Sequence, residues 1–207
     1  MKNQMAGSLH SKRGIGGALD REITKIRNLH LVAAEEYCRR VIKFGEELYR
    51  VFCTGSLGID NIVRLELLSR SGLEASLDFE LAPRNLLITF HPVTLERNSS
   101  AAQMDELLAA LAEQKNTGLI FTMPNADTEG RILFRQIEDF CVRHTNAKAF
   151  TSLGQLRYLS CIKHVDGVVG NSSSGLCEAP SFKKGTVNIG DRQLGRLRAA
   201  SVIDCDP

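Results

Sequence analysis

An open, parallel α/β sheet covered by helices on both faces is the fold class that the sequence predicts, and three observations predict it. Short apolar runs recur along the chain, several of them continuous in hydrophobicity, as strands buried on both faces are. Between the runs lie segments with apolar residues three and four positions apart, the spacing of amphipathic helices. The 207 residues, 43% hydrophobic and 24% charged, are enough to bury one sizeable core.

The elements follow in chain order. Residues 1–22 are basic and Gly-rich with little apolar periodicity, and they are expected to be poorly ordered. Strands are predicted at 29–33, 50–53, 86–90, 118–122, 148–150, 167–170 and 186–189. Helices are predicted at 35–44, 59–69, 101–114, 128–143 and 154–163. Such alternation builds a sheet from strand–helix–strand units. In "AAQMDELLAALAEQ" the stripe Met104, Leu107, Leu108 and Leu111 reads as core. The mixed stretch 69–85, "SRSGLEASLDFELAPRN", reads as a hinge-side loop or an irregular insertion. No internal repeat or low-complexity tract interrupts the pattern.

Charge and cysteine usage narrow the function classes. Lys and Arg total 26 against 24 Asp and Glu, a net charge of +2, so neither nucleic acid nor an anionic membrane is expected as partner. No apolar run reaches the length of a membrane span, and "MKNQMAGSLHSKRG" lacks the apolar core of a signal peptide. A soluble cytoplasmic protein is the expectation. The six cysteines show no C-x-x-C pair and no His at zinc-ligand spacing, so they are expected to be reduced, mostly buried and without metal.

In an open α/β sheet, ligands bind beyond the carboxyl ends of the strands. Three predicted strand ends carry unusual polar residues: His91 in "LLITFHPVT", Asn125 in "LIFTMPNAD", and Asn171 to Ser174 in "GVVGNSSSGLCEAPS". In the last stretch a short apolar strand leads into a helix start rich in hydroxyls. Backbone amides with the hydroxyls of Ser172, Ser173 and Ser174 suit phosphate oxygens, helped by the helix dipole. Gly170 and Gly175 permit close backbone approach. Glu178, about one turn on, suits the vicinal diol of a ribose. Phosphate and ribose together describe a nucleotide. The same serines also suit a plain helix cap with a solvated Glu178, and the spacing does not choose. His91 precedes Pro92, which favours extended backbone and puts the imidazole at the rim, where it serves as a phosphate contact, an acid or base, or a structural residue. The basic residues Arg192, Arg196 and Arg198 fit either a solvated surface or a dianionic ligand.

Taken in order, "ITKIRNLHLVAAEEYCRRVI", "GSLGIDNI", "ITFHPVT", "FTMPNADTEGR", "VDGVVGNSSSGLCEAPSF" and "VNIGDRQLGRLRAASVIDC" resemble the C-terminal half of the hydrolysing UDP-N-acetylglucosamine 2-epimerases. The nearest branch releases N-acetylmannosamine or related sugars for sialic-acid-type synthesis. The resemblance implies a fold of the glycosyltransferase B type, in which two Rossmann-like domains flank the active site and the C-terminal one, here residues 23–207, holds UDP. It implies no cofactor. Carried over to this chain, Ser172, Ser173 and Ser174 contact the diphosphate and Glu178 the ribose hydroxyls. Arg192 lies on the pyrophosphate side, Asn125 and His91 face the rest of the ligand, and His91 takes part in catalysis. The implied reaction eliminates UDP across carbons 1 and 2 of the sugar, and water then adds to the glycal.

The sequence departs from the family where proton chemistry is concentrated. Family members carry acidic residues in an N-terminal domain and in a G-G-E-x-x-x-G-x-x-D-D segment, and here the corresponding stretch reads "MKNQMAGSLHSKRGIGGALDREITK". A missing first domain, and an end at "VIDCDP" ahead of the usual closing helices, are therefore expected. Three functions are weighed: the UDP-binding half of such an epimerase, a UDP-binding module without turnover, and the donor half of a glycosyltransferase, the last disfavoured because "NSSSGLCEAPSF" followed by "GDRQLGR" fits the epimerases better. The partners expected are a UDP-sugar and either a second copy or a separate N-terminal half.

Overall fold

The computed structural model describes residues 25–93, 99–124 and 128–206. The expectation for residues 1–22 lies outside them. The chain divides into two compact units, one holding the described residues through Arg64 together with Leu194–Arg196, the other holding Leu65–Gln193 and the described residues from Leu197 onward. No boundary at residue 64 is predicted from the sequence.

The first unit is a small strand–helix–strand construction. Strand β1 (His30–Val32) leads through helix α1 (Glu35–Lys43) and a 3-10 turn (Leu48–Arg50) to β2 (Val51–Cys53), which pairs with β1 in parallel; helix α2 (Leu57–Arg64) follows. Val32, Cys38, Val41 and Val51 make its core. Acidic Glu35 and Glu36 open α1 and basic Arg40 and Lys43 close it, matching the helix dipole at both ends. Arg40 also donates to the Gly195 carbonyl, 2.5 Å away. Glu46, nearly buried, accepts from Lys25 (3.0 Å) and pairs with the buried His30 (3.1 Å).

The second unit carries the six-stranded sheet. Helix α3 (Arg70–Leu77) precedes β3 (Arg84–Thr89), α4 (Ser100–Ala112), β4 (Thr117–Thr122), α5 (Thr128–Arg143), β5 (Ala147–Phe150), α6 (Gly154–His164) and β6 (Gly167–Gly170). A four-residue helix α7 (Ser174–Cys177), a 3-10 turn (Ala179–Phe182), β7 (Gly185–Ile189) and β8 (Val202–Cys205) complete it. All pairings are parallel and the spatial order is β5-β4-β3-β6-β7-β8. The chain thus builds outward from β3 to one edge, returns, and builds outward to the other edge, which is the order of a doubly wound Rossmann-like sheet. One face packs Ile88, Phe90, Leu119 and Phe121 against Met104, Leu108 and Leu111 of α4 and Leu133, Ile137 and Phe140 of α5. The alternate residues Leu87, Ile120 and Val168 point to the opposite face and are also buried. Helices cover both faces, as predicted.

Several predicted details change. The first two predicted strands form the separate β1–β2 pair instead of joining the main sheet. The stretch 69–85 contains helix α3, for which Ser69 is the N-cap: its hydroxyl accepts from the Gly72 amide, and Leu73 and Leu77, four apart, are buried. The helix predicted over 59–69 ends at Arg64. Strand β8 was not predicted, being short, polar at Asp204 and exposed along most of its length. All six cysteines are free, but only Cys38 and Cys161 are buried; Cys53, Cys177 and Cys205 are exposed and Cys141 is intermediate. Cys53 and Cys205 end short, poorly covered strands and Cys177 ends the four-residue α7, so "mostly buried" does not hold. Burial raises the Cys161 thiol to about 12 and the Cys141 thiol to about 11, which keeps both in the unreactive thiol form. Among the described residues, no helix is long and apolar enough to cross a membrane.

Candidate functional site

The strand order reverses between β3 and β6, and that switch point is where an open α/β sheet has its crevice. Two of the three predicted polar strand ends meet there. Thr89, two residues before His91, stands level with Gly170, one residue before Asn171. Asn125, at the third, lies outside the described residues.

Asn171 holds the crevice together. It is buried, its backbone amide donates to the Thr89 carbonyl (3.1 Å), and its side chain grips His91 at both backbone groups. The His91 amide donates to Asn171 Oδ1 (2.8 Å), and Asn171 Nδ2 donates to the His91 carbonyl (2.8 Å). Backbone leaving β3 is thereby fixed without a ladder partner. From the other side Arg192 Nη1 (2.9 Å) and buried Gln193 Nε2 (2.7 Å) donate to the Asn171 carbonyl. His91, Asn171 and Arg192 thus converge from three loops that follow β3, β6 and β7.

The serine turn sits on this base. Among the described residues, the amides of Ser172 and Ser173 meet no acceptor, whereas those from Ser174 onward are engaged by the turn itself. Ser172 Oγ and Ser174 Oγ are 3.3 Å apart, and Ser174 Oγ is hydrogen-bonded to the phenol of Tyr158 on α6. Glu178 caps the end of α7, half-buried. Burial pushes the Tyr158 phenol above its ordinary value and the nearby Glu178 carboxylate adds to that, while hydrogen bonds from Ser174, Thr89 and Ser172 pull the other way.

Two parts of the sequence argument change here. With only four residues, α7 has too few aligned peptide dipoles to serve as the anion-attracting helix end that was expected, which leaves the amides and hydroxyls of the turn as the donors that an anion could meet. The room expected at Gly170 and Gly175 is already used by the protein. A Cβ on Gly170 would stand 2.1 Å from the Thr89 carbonyl oxygen, and one on Gly175 would stand 2.6 Å from the Thr186 methyl. These glycines let the turn seat closely on β3 and β7.

Tyr158 was not singled out from the sequence, and Asn171, one of the polar strand-end residues, and Gln193, beside Arg192, were given no role of their own. Asn171 lies within the motif, but a buried amide that clamps a residue 80 positions away leaves no local trace. Elsewhere, among the described residues, Glu35, Cys38 and Cys53 of the first unit are the grouping whose donor atoms approach metal-ligand spacing. Three donors are one fewer than the four that structural zinc takes.

The parallel strand order and the polar rim at its switch point define a Rossmann-like α/β protein of the glycosyltransferase B type, a class shared with solved epimerase structures. Within that class, the UDP-N-acetylglucosamine 2-epimerase family model matches residues 17–207, and the chain belongs to that family. It is 46% identical over 183 residues to polysialic acid biosynthesis protein P7 of Escherichia coli, covering 88% of this chain and 46% of that protein. It is 40% identical over 195 residues to the hydrolysing GDP/UDP-N,N'-diacetylbacillosamine 2-epimerase of Campylobacter jejuni, covering 92% of this chain and 51% of that one. The chain therefore spans about half the length of these curated relatives. Among solved structures, the UDP co-structure of S. aureus MnaA superposes with a TM-score of 0.67 at 14% identity, covering 84% of this chain and 45% of that one. The UDP-GlcNAc 2-epimerase of Methanocaldococcus jannaschii gives a TM-score of 0.66 at 15% identity, covering 98% and 58%.

Proposed function

We propose that this chain is the UDP-holding part of a hydrolysing UDP-N-acetylglucosamine 2-epimerase. The observation that carries the reading is the serine turn at the β3–β6 switch point, with two amides and a set of hydroxyls available to an acceptor and Glu178 close by. In this reading Ser172 and Ser173 donate to the diphosphate, with Ser174 behind them and hydrogen-bonded to Ser172, and Glu178 accepts from the two ribose hydroxyls. Arg192 adds a positive charge on the diphosphate side, and Asn125 contacts the rest of the ligand. The curated relatives' names, one a hydrolysing 2-epimerase and one a polysialic acid biosynthesis protein, support the reaction class.

The chemistry proposed is elimination followed by hydration. The carbon 2 proton and the UDP group leave, a carbon–carbon double bond forms between carbons 1 and 2, and water then adds to give the free 2-epimer. His91 is the catalytic group on this chain. Asn171 holds both backbone groups of His91, which supports a role in which the imidazole stands beside the diphosphate and a proton on the ring offsets the charge that develops as UDP departs. One imidazole cannot both perform this task and remove the carbon 2 proton, so turnover by the chain alone is expected to be negligible.

Calorimetry with UDP tests the nucleotide reading. Binding by wild type that is lost in a Ser173→Ala, Glu178→Ala double variant supports it, and equal binding by both removes the site. Incubation with UDP-N-acetylglucosamine, assayed for free UDP and N-acetylmannosamine, tests the catalytic reading; ready release by the pure chain that survives His91→Ala overturns the role given to His91.

A further inference from the structure

We propose that Tyr158 is a positioning residue for anion binding, setting the direction in which the serine-turn hydroxyls point their protons. This deepens the nucleotide reading above and rests on it. The phenol sits on α6, on the sheet face that Thr89 shares with Leu87 and Val168, and its oxygen is hydrogen-bonded to Ser174 Oγ. Ser174 Oγ in turn lies 3.3 Å from Ser172 Oγ, and the Ser174 amide lies 3.4 Å from the same Ser172 oxygen. These three hydroxyls therefore form a connected set that runs from the helix behind the sheet to the mouth of the turn, and Thr89, which is itself bonded to Thr122, meets the phenol at the inner end, where it can donate to the phenol oxygen and leave the phenol proton for Ser174.

A chain of hydroxyls can be polarised in either direction, because each is both donor and acceptor. What sets the direction is the end that holds its proton most firmly in place and gives it most readily to a neighbour. A phenol is a stronger donor than an aliphatic hydroxyl, and burial with the neighbouring Glu178 carboxylate keeps this one in its protonated form. Tyr158 then donates to Ser174, Ser174 donates to Ser172, and Ser172, already accepting from Ser174, directs its own proton outward. The amides of Ser172 and Ser173 are donors as well. The mouth of the turn becomes a surface of donors alone, which suits an acceptor-only group such as a diphosphate and disfavours a neutral hydroxylic ligand. Without the phenol, Ser174 loses its donor and can turn its proton inward, and Ser172 can follow.

The test is calorimetry of the full chain with two probes, UDP and uridine, on wild type, Tyr158→Phe, Ser174→Ala and the double variant. Tyr158→Phe keeps the ring and removes only the hydroxyl. The expected result is a loss of about tenfold in UDP affinity, equivalent to about 1.4 kcal/mol, with uridine affinity unchanged. Ser174→Ala should show the same selective loss, and the double variant should be no worse than either single one, since both cut the same chain. If Tyr158→Phe fails to fold by circular dichroism, Ser174→Ala decides by the same criterion. UDP affinity that stays within twofold, or UDP and uridine affinities that fall together, overturns the proposal while leaving the nucleotide site standing. Absence of UDP binding by wild type overturns the nucleotide reading, and this proposal with it.

Discussion

Both sheets in this chain are parallel, yet the β1–β2 pair and the six-stranded sheet bury their strands to different depths. In β2 only Val51 is buried and Phe52 is 46% exposed, and the unit also shows Leu29, Leu48 and Tyr49 to its surroundings. In β4 every residue from Thr117 to Phe121 is buried. A parallel strand is stable when both its faces are covered and its ladder groups are paired on both sides, which three-residue strands in a pair cannot achieve. The six-stranded sheet meets both conditions at its centre, and the rim that carries His91, Asn171 and the serine turn belongs to that centre. A site that must hold donors at fixed positions stands where the backbone has least freedom.

Hydrogen exchange should break or confirm this comparison most sharply. Amides of β3, β4 and β6 are expected to exchange only by global opening, and those of β1 and β2 by local opening, with protection differing by orders of magnitude. Similar protection in both sheets would mean that the four-residue core of the first unit is far more stable than its size suggests.

Core truncation should give the next largest effect. Leu119, fully buried between β3 and β5, should cost about 2–5 kcal/mol when changed to Ala. Val41→Ala, in the small core, removes two methyl groups, roughly 1.5 kcal/mol, and should speed exchange in β1 and β2 without moving the urea midpoint of the second unit. A shared shift would show that the two units unfold together.

At the rim, Asn171→Ala should cost about 1–3 kcal/mol, because it leaves the His91 amide and carbonyl without their partner. Asn171→Asp restores the acceptor for the His91 amide but not the donor for its carbonyl, so its urea midpoint should fall between those of wild type and the Ala variant. Equal stability of all three would remove the clamp from the account of why the rim is ordered.

The smallest effect is expected from pH in the first unit. Lys25, by its hydrogen bond, and then His30 hold the Glu46 carboxyl below the usual carboxylate range, against the opposing influence of burial. A group whose folded value is depressed stabilises the folded state above its unfolded value and loses that contribution as pH falls through the folded one. Exchange in β1 should therefore quicken below the ordinary carboxylate range in wild type, with a weaker acid response in Glu46→Gln. An identical response in both would assign the acid sensitivity to other carboxylates.

Much of the framework was legible in the residue order. Helix α5 occupies the predicted 128–143 and strand β6 the predicted 167–170, because both are written in local periodicity: apolar residues three and four apart for the one, a short apolar run between turn residues for the other. Helix α3 was legible in principle, through the Ser69 cap and the Leu73–Leu77 spacing, but surrounding polar residues masked it. The polar strand ends were visible for the same local reason, each following its apolar run. What the tertiary structure alone decided is which strand ends meet. The register of β3 on β6 brings Asn171 to His91 across 80 positions, α6 carries Tyr158 to Ser174, and the loop after β7 returns Arg192 and Gln193 to the Asn171 carbonyl. Periodicity records how a residue stands relative to its own helix or strand, whereas a hydrogen bond between distant loops depends on the order in which strands pair. That order is set by packing the whole sheet.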